Sequence, residues 1–336
     1  MAAAAAVAAV VLLLHRPTVP PRLLVGLDDD SAKWIARPDG PLADYHALGA
    51  VAVRLWIPWR GEARPQGVTA VYLRRAERLA RRRVRVVLAV FGFAHEAPVA
   101  PRAQARFCGF ARAALARVAD ARDVVVWNEA NNPTYWPRQA GAAAYERLLA
   151  RCYDTLHAAR NDVNVLDSTS SSHEPGDFIR ALGAVYRASG RERPLVDSFG
   201  HNPYPVRHGI AQDGYPRLRA ALRDAFRRTP QPLAPVWYLE DGFQSTVPPS
   251  KRRFYRGREN VETIAASVQA EEVRDAILRA SCQRGVGAIF NFERVDEVRL
   301  AGWQSGLRWH DGTRKPSYDA FRTAAAAVRA GRVDCQ

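Results

Sequence analysis

Eight times along this chain a short, β-branched apolar run is followed by a longer amphipathic segment. This rhythm restricts the fold more than any other feature of the sequence. The runs are residues 23–27, 51–57, 84–91, 124–127, 163–166, 195–199, 236–239 and 286–292. Runs of this length and composition read as strands buried on both faces. The intervening segments 41–48, 70–82, 101–118, 140–160, 176–189, 217–227, 261–282 and 317–330 read as helices, with Thr69 as the cap of the second. Strict alternation of strand and helix implies a parallel sheet, and eight units imply an α/β fold closed as a single (β/α)8 (TIM-type) barrel. No Gly-x-Gly-x-x-Gly follows any run, which argues against an open dinucleotide-binding sheet.

The ends of the chain stand outside this rhythm. Residues 2–14 are continuously apolar and rich in alanine. They are short for a bilayer span but suit the hydrophobic part of a secretory signal. Residues 15–22, with Pro17, Pro20 and Pro21, read as an extended linker. The expected organisation is therefore a leader and linker over 1–22 and one barrel domain over 23–336. No stable membrane span is expected beyond the leader, and the expected location is secreted or associated with the cell envelope.

Charge and cysteine content narrow the partners. The formal net charge is +15, and only three of the 49 basic residues are lysine (Lys33, Lys251 and Lys315). Such a charge favours anionic polymers or surfaces. No basic region is interleaved with stacking aromatics, so nucleic acid is not expected as a partner. The densest arginine cluster, Arg74 to Arg85, has Leu73, Ala76, Leu79 and Ala80 at helical spacing and reads as the solvated face of an outer helix. Cys108 and Cys152 fall on consecutive helices, and Cys282 and Cys335 near the ends of the last two. Two disulfides and four buried thiols are equally compatible with that placement.

Two runs end in a glutamate. DVVVWNEANNP (residues 123–133) carries Asn128-Glu129 at its tip, and the run over 236–239 leads into Glu240. In a parallel barrel the tips of the fourth and seventh strands open into one mouth. Two carboxylates brought together there are what acid-assisted cleavage of a glycosidic bond needs. Competing constellations are weaker. Ser168 to His173 lacks a Gly-x-Ser-x-Gly elbow and reads as a polar loop at the mouth. His95-Glu96 lacks the second histidine of a zinc motif and reads as lining the cleft or capping a turn. Asp28 to Asp30 lacks calcium-loop spacing and reads as a solvated strand end. No metal and no cofactor is expected.

These motifs together resemble the clan A glycoside hydrolases, a superfamily of retaining (β/α)8 enzymes. WNEANNP (127–133) is similar to the family's Asn-Glu motif after strand four, with Ala130 where proline is usual. WYLEDG (237–242) is similar to the nucleophile motif of strand seven, HNPY (201–204) to the His and Tyr after strand six, and GLRWHDGTRKPSYDAF (306–321) to the family's ending. The resemblance implies Glu129 as acid/base, Glu240 as nucleophile, Arg54 as the arginine bracing it, and His201 and Tyr204 as site residues. Asn128 is then placed for the sugar 2-hydroxyl, and His201 for the acid/base or the sugar.

Strand eight departs from the family, reading AIFNFE where a tryptophan is usual. Phe290, Phe292 or Trp303 is expected to replace it. Trp34, Trp59, Trp136 and Trp303 are candidate stacking platforms. The implied activity is a retaining O-glycoside hydrolase on a β-linked carbohydrate, with the two carboxylates about 5 Å apart. A barrel that holds glycans without cutting them, and a transglycosylase using the same residues, are the alternatives.

Overall fold

The computed structural model describes residues 23–35, 39–205 and 209–335. The leader expected over 1–22 lies outside the described residues. Nine strands form one all-parallel sheet: β1 (Leu24–Asp28), β2 (Ala52–Pro58), β3 (Arg85–Phe91), β4 (Asp123–Val126), β5 (Asn164–Leu166), β6 (Thr169–Ser170), β7 (Phe199–Asn202), β8 (Val236–Asp241) and β9 (Val286–Phe292). The spatial order is β5-β4-β3-β2-β1-β9-β8-β7-β6.

The two edge strands are consecutive in the chain, separated only by Asp167 and Ser168. They are two halves of one stave. β5 pairs with β4, β6 pairs with β7, and a parallel bridge between Leu166 and Ser198 spans the break. Nine strands therefore fill eight positions, and the sheet curls into a TIM-type barrel. Gly200 sits against this seam. A Cβ there would lie 2.1 Å from the Asp167 carbonyl oxygen, so only glycine lets the chains approach.

Around the sheet run α1 (Ser31–Trp34), α2 (Asp39–Leu48), α3 (Gly67–Ala80), α4 (Pro101–Arg117), α5 (Gly141–His157), α6 (Pro175–Ala188), α7 (Tyr215–Phe226), α8 (Ala266–Cys282) and α9 (Pro316–Ala330). Strand side chains such as Val53, Leu55, Val124, Val126 and Leu239 are buried, as largely apolar runs require. Proline opens α4, α6, α7 and α9 at the first or second helical position, where its missing N–H costs nothing.

Three expectations need correction. α3 starts at Gly67 after Gln66, so Thr69 is buried inside the helix and caps nothing. The last outer helix but one begins at Ala266 rather than 261, because Ile264 bridges Ser245 and draws the preceding segment onto the loop after β8. The strand expected over 195–199 begins at Phe199. The N–H groups of Leu195 and Val196 donate instead to the Gln231 side-chain oxygen, at 2.8 and 3.1 Å, which delays the ladder by several residues.

The cysteines pair as Cys108–Cys152, joining α4 to α5, and Cys282–Cys335, tying the end of α8 to the C-terminal tail. The long loops after β8 and β9 pack on each other through Val247, Tyr255, Leu300 and Trp309. Beneath them Lys315 Nζ lies buried, 2.6 Å from Asp296 Oδ1 and 2.8 Å from both Ser245 Oγ and the Gln304 carbonyl. No described helix is long and apolar enough to cross a membrane.

Candidate active site

At the C-terminal ends of the strands lies a cleft of about 480 Å³. Glu129 reaches it from the turn after β4. Both Trp127 (φ 68°) and Glu129 (φ 41°) adopt left-handed backbone conformations that non-glycine residues rarely take. The turn is held by Trp127 N donating to the Val90 carbonyl (3.0 Å), Glu129 N to Ser168 Oγ (3.2 Å) and Ala130 N to the Ser168 carbonyl (3.0 Å). A strained conformation fixed from three sides aims the carboxyl instead of leaving it to wave in solvent.

The Glu129 carboxyl accepts two amide hydrogen bonds, from Asn202 Nδ2 to Oε1 (2.8 Å) and from Asn132 Nδ2 to Oε2 (2.7 Å). Burial, reinforced by the charge of Glu240, pushes its pKa up to about 7, against the opposing pull of the two asparagines. A carboxyl at that value is poised to give and take a proton near neutral pH.

Glu240 projects from β8. Arg54 Nη1 stands 2.8 Å from its Oε1, and the Tyr204 hydroxyl donates to its Oε2 at 3.1 Å. Arg54 rises from β2, only 2% exposed, and also binds Asp28 Oδ2 and Asn128 Oδ1 (2.8 Å). Burial works against the arginine charge, but the carboxylates of Asp28 and Glu240 outweigh it, so its pKa moves upward. Burial together with Glu240 and Glu129 drives the Tyr204 hydroxyl far above the usual phenol value, so it remains a donor. The outcome is a Glu240 side chain held by two donors, in the same cleft as a Glu129 carboxyl held by two amides.

The walls are aromatic and polar. Tyr204 and Trp303 lie 4.9 Å apart, and Phe292 meets Trp303 edge to face at 5.1 Å. Trp56, Phe91 and Phe93 line the opposite side, with the exposed Trp34 at the rim. Ser170 to Ser172 form the polar wall expected of the 168–173 loop. Glu96 accepts from Phe93 N (2.8 Å) and caps a short turn.

Of the residues singled out from sequence, the structure brings Glu129, Glu240, Arg54, Asn128, Tyr204, Trp34, Phe292 and Trp303 to this cleft. Two lie elsewhere. His201 is buried behind the wall, its Nδ1 on Thr169 Oγ1 (2.9 Å) and its Nε2 on the Ile210 carbonyl (2.8 Å). Burial lowers its pKa to about 4, which leaves it neutral. Trp136 is 2% exposed, donates to the Gly141 carbonyl at 3.0 Å, and packs edge-on against Trp127 and Tyr145. Trp59 and Phe290 are core residues too.

The aspartate run is not a solvated strand end. Asp28 pairs with Arg54, Asp29 with Arg294 (2.8 Å) and the Tyr45 hydroxyl (2.8 Å), and Asp30 with Lys33 (2.6 Å). Asn132, Asn202, Tyr135 and Glu293 also belong to the site and were not singled out from sequence. Among the described residues no cluster of His, Cys, Asp and Glu is arranged to hold a metal ion.

No family model and no curated protein matches the chain. Solved structures do. The chain is similar to the Ignisphaera aggregans GH53 catalytic domain at 16% identity, over 92% of this chain and 98% of that one, with a TM-score of 0.65. It is similar to fungal beta-1,4-galactanases at 15% identity, over 90% and 99%, with a TM-score of 0.64. A GH2 beta-galacturonidase from Eisenbergiella tayi follows at 10% identity, over 91% of this chain and 51% of that one, with a TM-score of 0.58. The chain thus has the (β/α)8 fold of these glycoside hydrolases, as its resemblance to clan A implied.

Proposed function

We propose that this protein is a retaining O-glycoside hydrolase acting on a β-linked saccharide, with its catalytic domain over residues 23–336. Glu240 attacks the anomeric carbon while Glu129 protonates the leaving oxygen. Water, deprotonated by Glu129, then hydrolyses the glycosyl-enzyme. The observation that carries this reading is the asymmetry of the two glutamates: Glu129 held by neutral amides with its pKa at about 7, Glu240 held by a guanidinium and a phenol. Environments that push two carboxyls into different roles are the usual mark of an acid–nucleophile pair. Asn128 is proposed to meet the sugar 2-hydroxyl, and Trp303, Phe292 and Trp34 to stack on sugar faces.

Among the described residues the cation in the cleft lining is Arg54, and it is already engaged by Asp28, Glu240 and Asn128. Secretion or attachment to the cell envelope is supported by the two disulfides.

The test is a panel of aryl β-glycosides followed by trapping with the 2-deoxy-2-fluoro analogue of the best substrate. Covalent labelling of Glu240 is expected, with β-product released first. Inverted α-product, or label on another residue, overturns the reading.

A further inference from the structure

Helix α4 and the loop after β2 enclose a second groove, of about 580 Å³, on the outer wall of the barrel. Four exposed arginines line it: Arg64 from the loop and Arg106, Arg112 and Arg117 from the helix. Its floor is small and apolar, built from Ala63, Pro65, Gly109 and Ala113 among others. No carboxylate and no aromatic ring lines it, and none of the four arginines is ion-paired among the described residues. Some surface arginines elsewhere are matched, as Arg81 is with Glu77 and Arg191 with Asp154. The cleft at the mouth has the opposite character, with Asp28, Asp30, Glu129, Glu240, Glu293 and Glu297 in its lining.

We propose that this groove is a docking track for an anionic polysaccharide, separate from the cleft. Unpaired guanidiniums along one apolar trough complement a chain of sulfate or carboxylate groups, which Arg recognises with paired donors. From Arg106 to Arg117 the helix rises about 16 Å, so the track suits a polymer better than a single ion. The missing aromatics leave no platform for stacking bases, which disfavours single-stranded nucleic acid. The lack of large apolar groups disfavours insertion into a lipid surface. The two disulfides suit an oxidising compartment, where acidic polysaccharides occur.

The experiment measures binding of the full chain to dextran sulfate, with uncharged dextran as the reference. Two variants accompany it: R106Q/R112Q/R117Q in the groove, and R223Q/R227Q/R258Q, which removes the same charge from exposed sites elsewhere. Affinity should fall about tenfold or more in the groove variant and far less in the control, and native affinity should weaken steeply with added salt. The charge-conserving R106K/R112K/R117K variant, kept as a check on folding, should retain most of the binding. No binding by the native chain overturns the proposal. So does equal loss in groove and control variants, or tighter binding of double-stranded DNA or anionic vesicles than of dextran sulfate.

Discussion

Asn202 Nδ2 donates to Glu129 Oε1 at 2.8 Å, joining the last residue of β7 to the carboxyl at the tip of β4. The bond favours the anionic form of Glu129 and so opposes the burial that raises its pKa. With Glu129 as the acid, turnover should fall as pH rises through about 7, because the proton is lost. Asn202→Ala removes a stabiliser of the anion, so the alkaline limb of the kcat profile should move to higher pH. An unmoved or lowered limb would show that Asn202 does not tune this group.

The two glutamates should respond differently to leaving-group chemistry. Glu129→Gln should lower kcat by about 10²–10⁴-fold on a poor leaving group and far less on an activated dinitrophenyl glycoside, which needs no acid for departure. Glu240→Gln should abolish turnover on both. Equal losses in the Glu129 variant across leaving groups would count against its role as acid.

Two tryptophans nominated together from sequence should separate experimentally. Trp303→Ala should raise KM by about threefold to tenfold with little change in melting temperature, since its ring faces the cleft. Trp136→Ala should cost about 3–5 kcal/mol of stability, because the ring fills the packing between Trp127 and Tyr145. Denaturant titration of both variants, alongside KM, checks the assignment.

The buried pair under the long loops makes a further demand. Lys315→Met leaves Asp296 without its cation and should destabilise the protein by about 3–5 kcal/mol. The doubly substituted Lys315→Met/Asp296→Leu should recover part of the loss. A double variant as unstable as the single one would locate the cost in packing and not in charge.

The barrel was legible because buried strands must be apolar and amphipathic helices must show their period, and both constraints are local. Glu129 and Glu240 were legible because a charge directly after a buried run is conspicuous. What escaped depends on register. Neighbouring residues on a strand point to opposite faces, so of His201 and Asn202 only one can reach the cleft. Gln231, held 36 residues away from Leu195 along the chain, shifts where that strand begins, and the strand places Asn202 on the site side. The paired aspartates escaped for the same reason, because Arg294, Arg54 and Tyr45 come from distant parts of the chain. Cysteine pairing likewise needed the helix packing.

The divided stave gives the barrel a seam. Between β4 and β7 the wall is held by the short ladders of β5 and β6 and by a bridge from Leu166 to Ser198. Opening there should cost fewer ladder hydrogen bonds than opening the seven-residue pairing of β2 with β3. The amides of residues 167–170 should therefore exchange with solvent ahead of those of β2 and β3. Because Ser170 and Asn202 sit on that seam, amides on the side of the cleft that holds Glu129 should exchange ahead of those on the Arg54–Glu240 side.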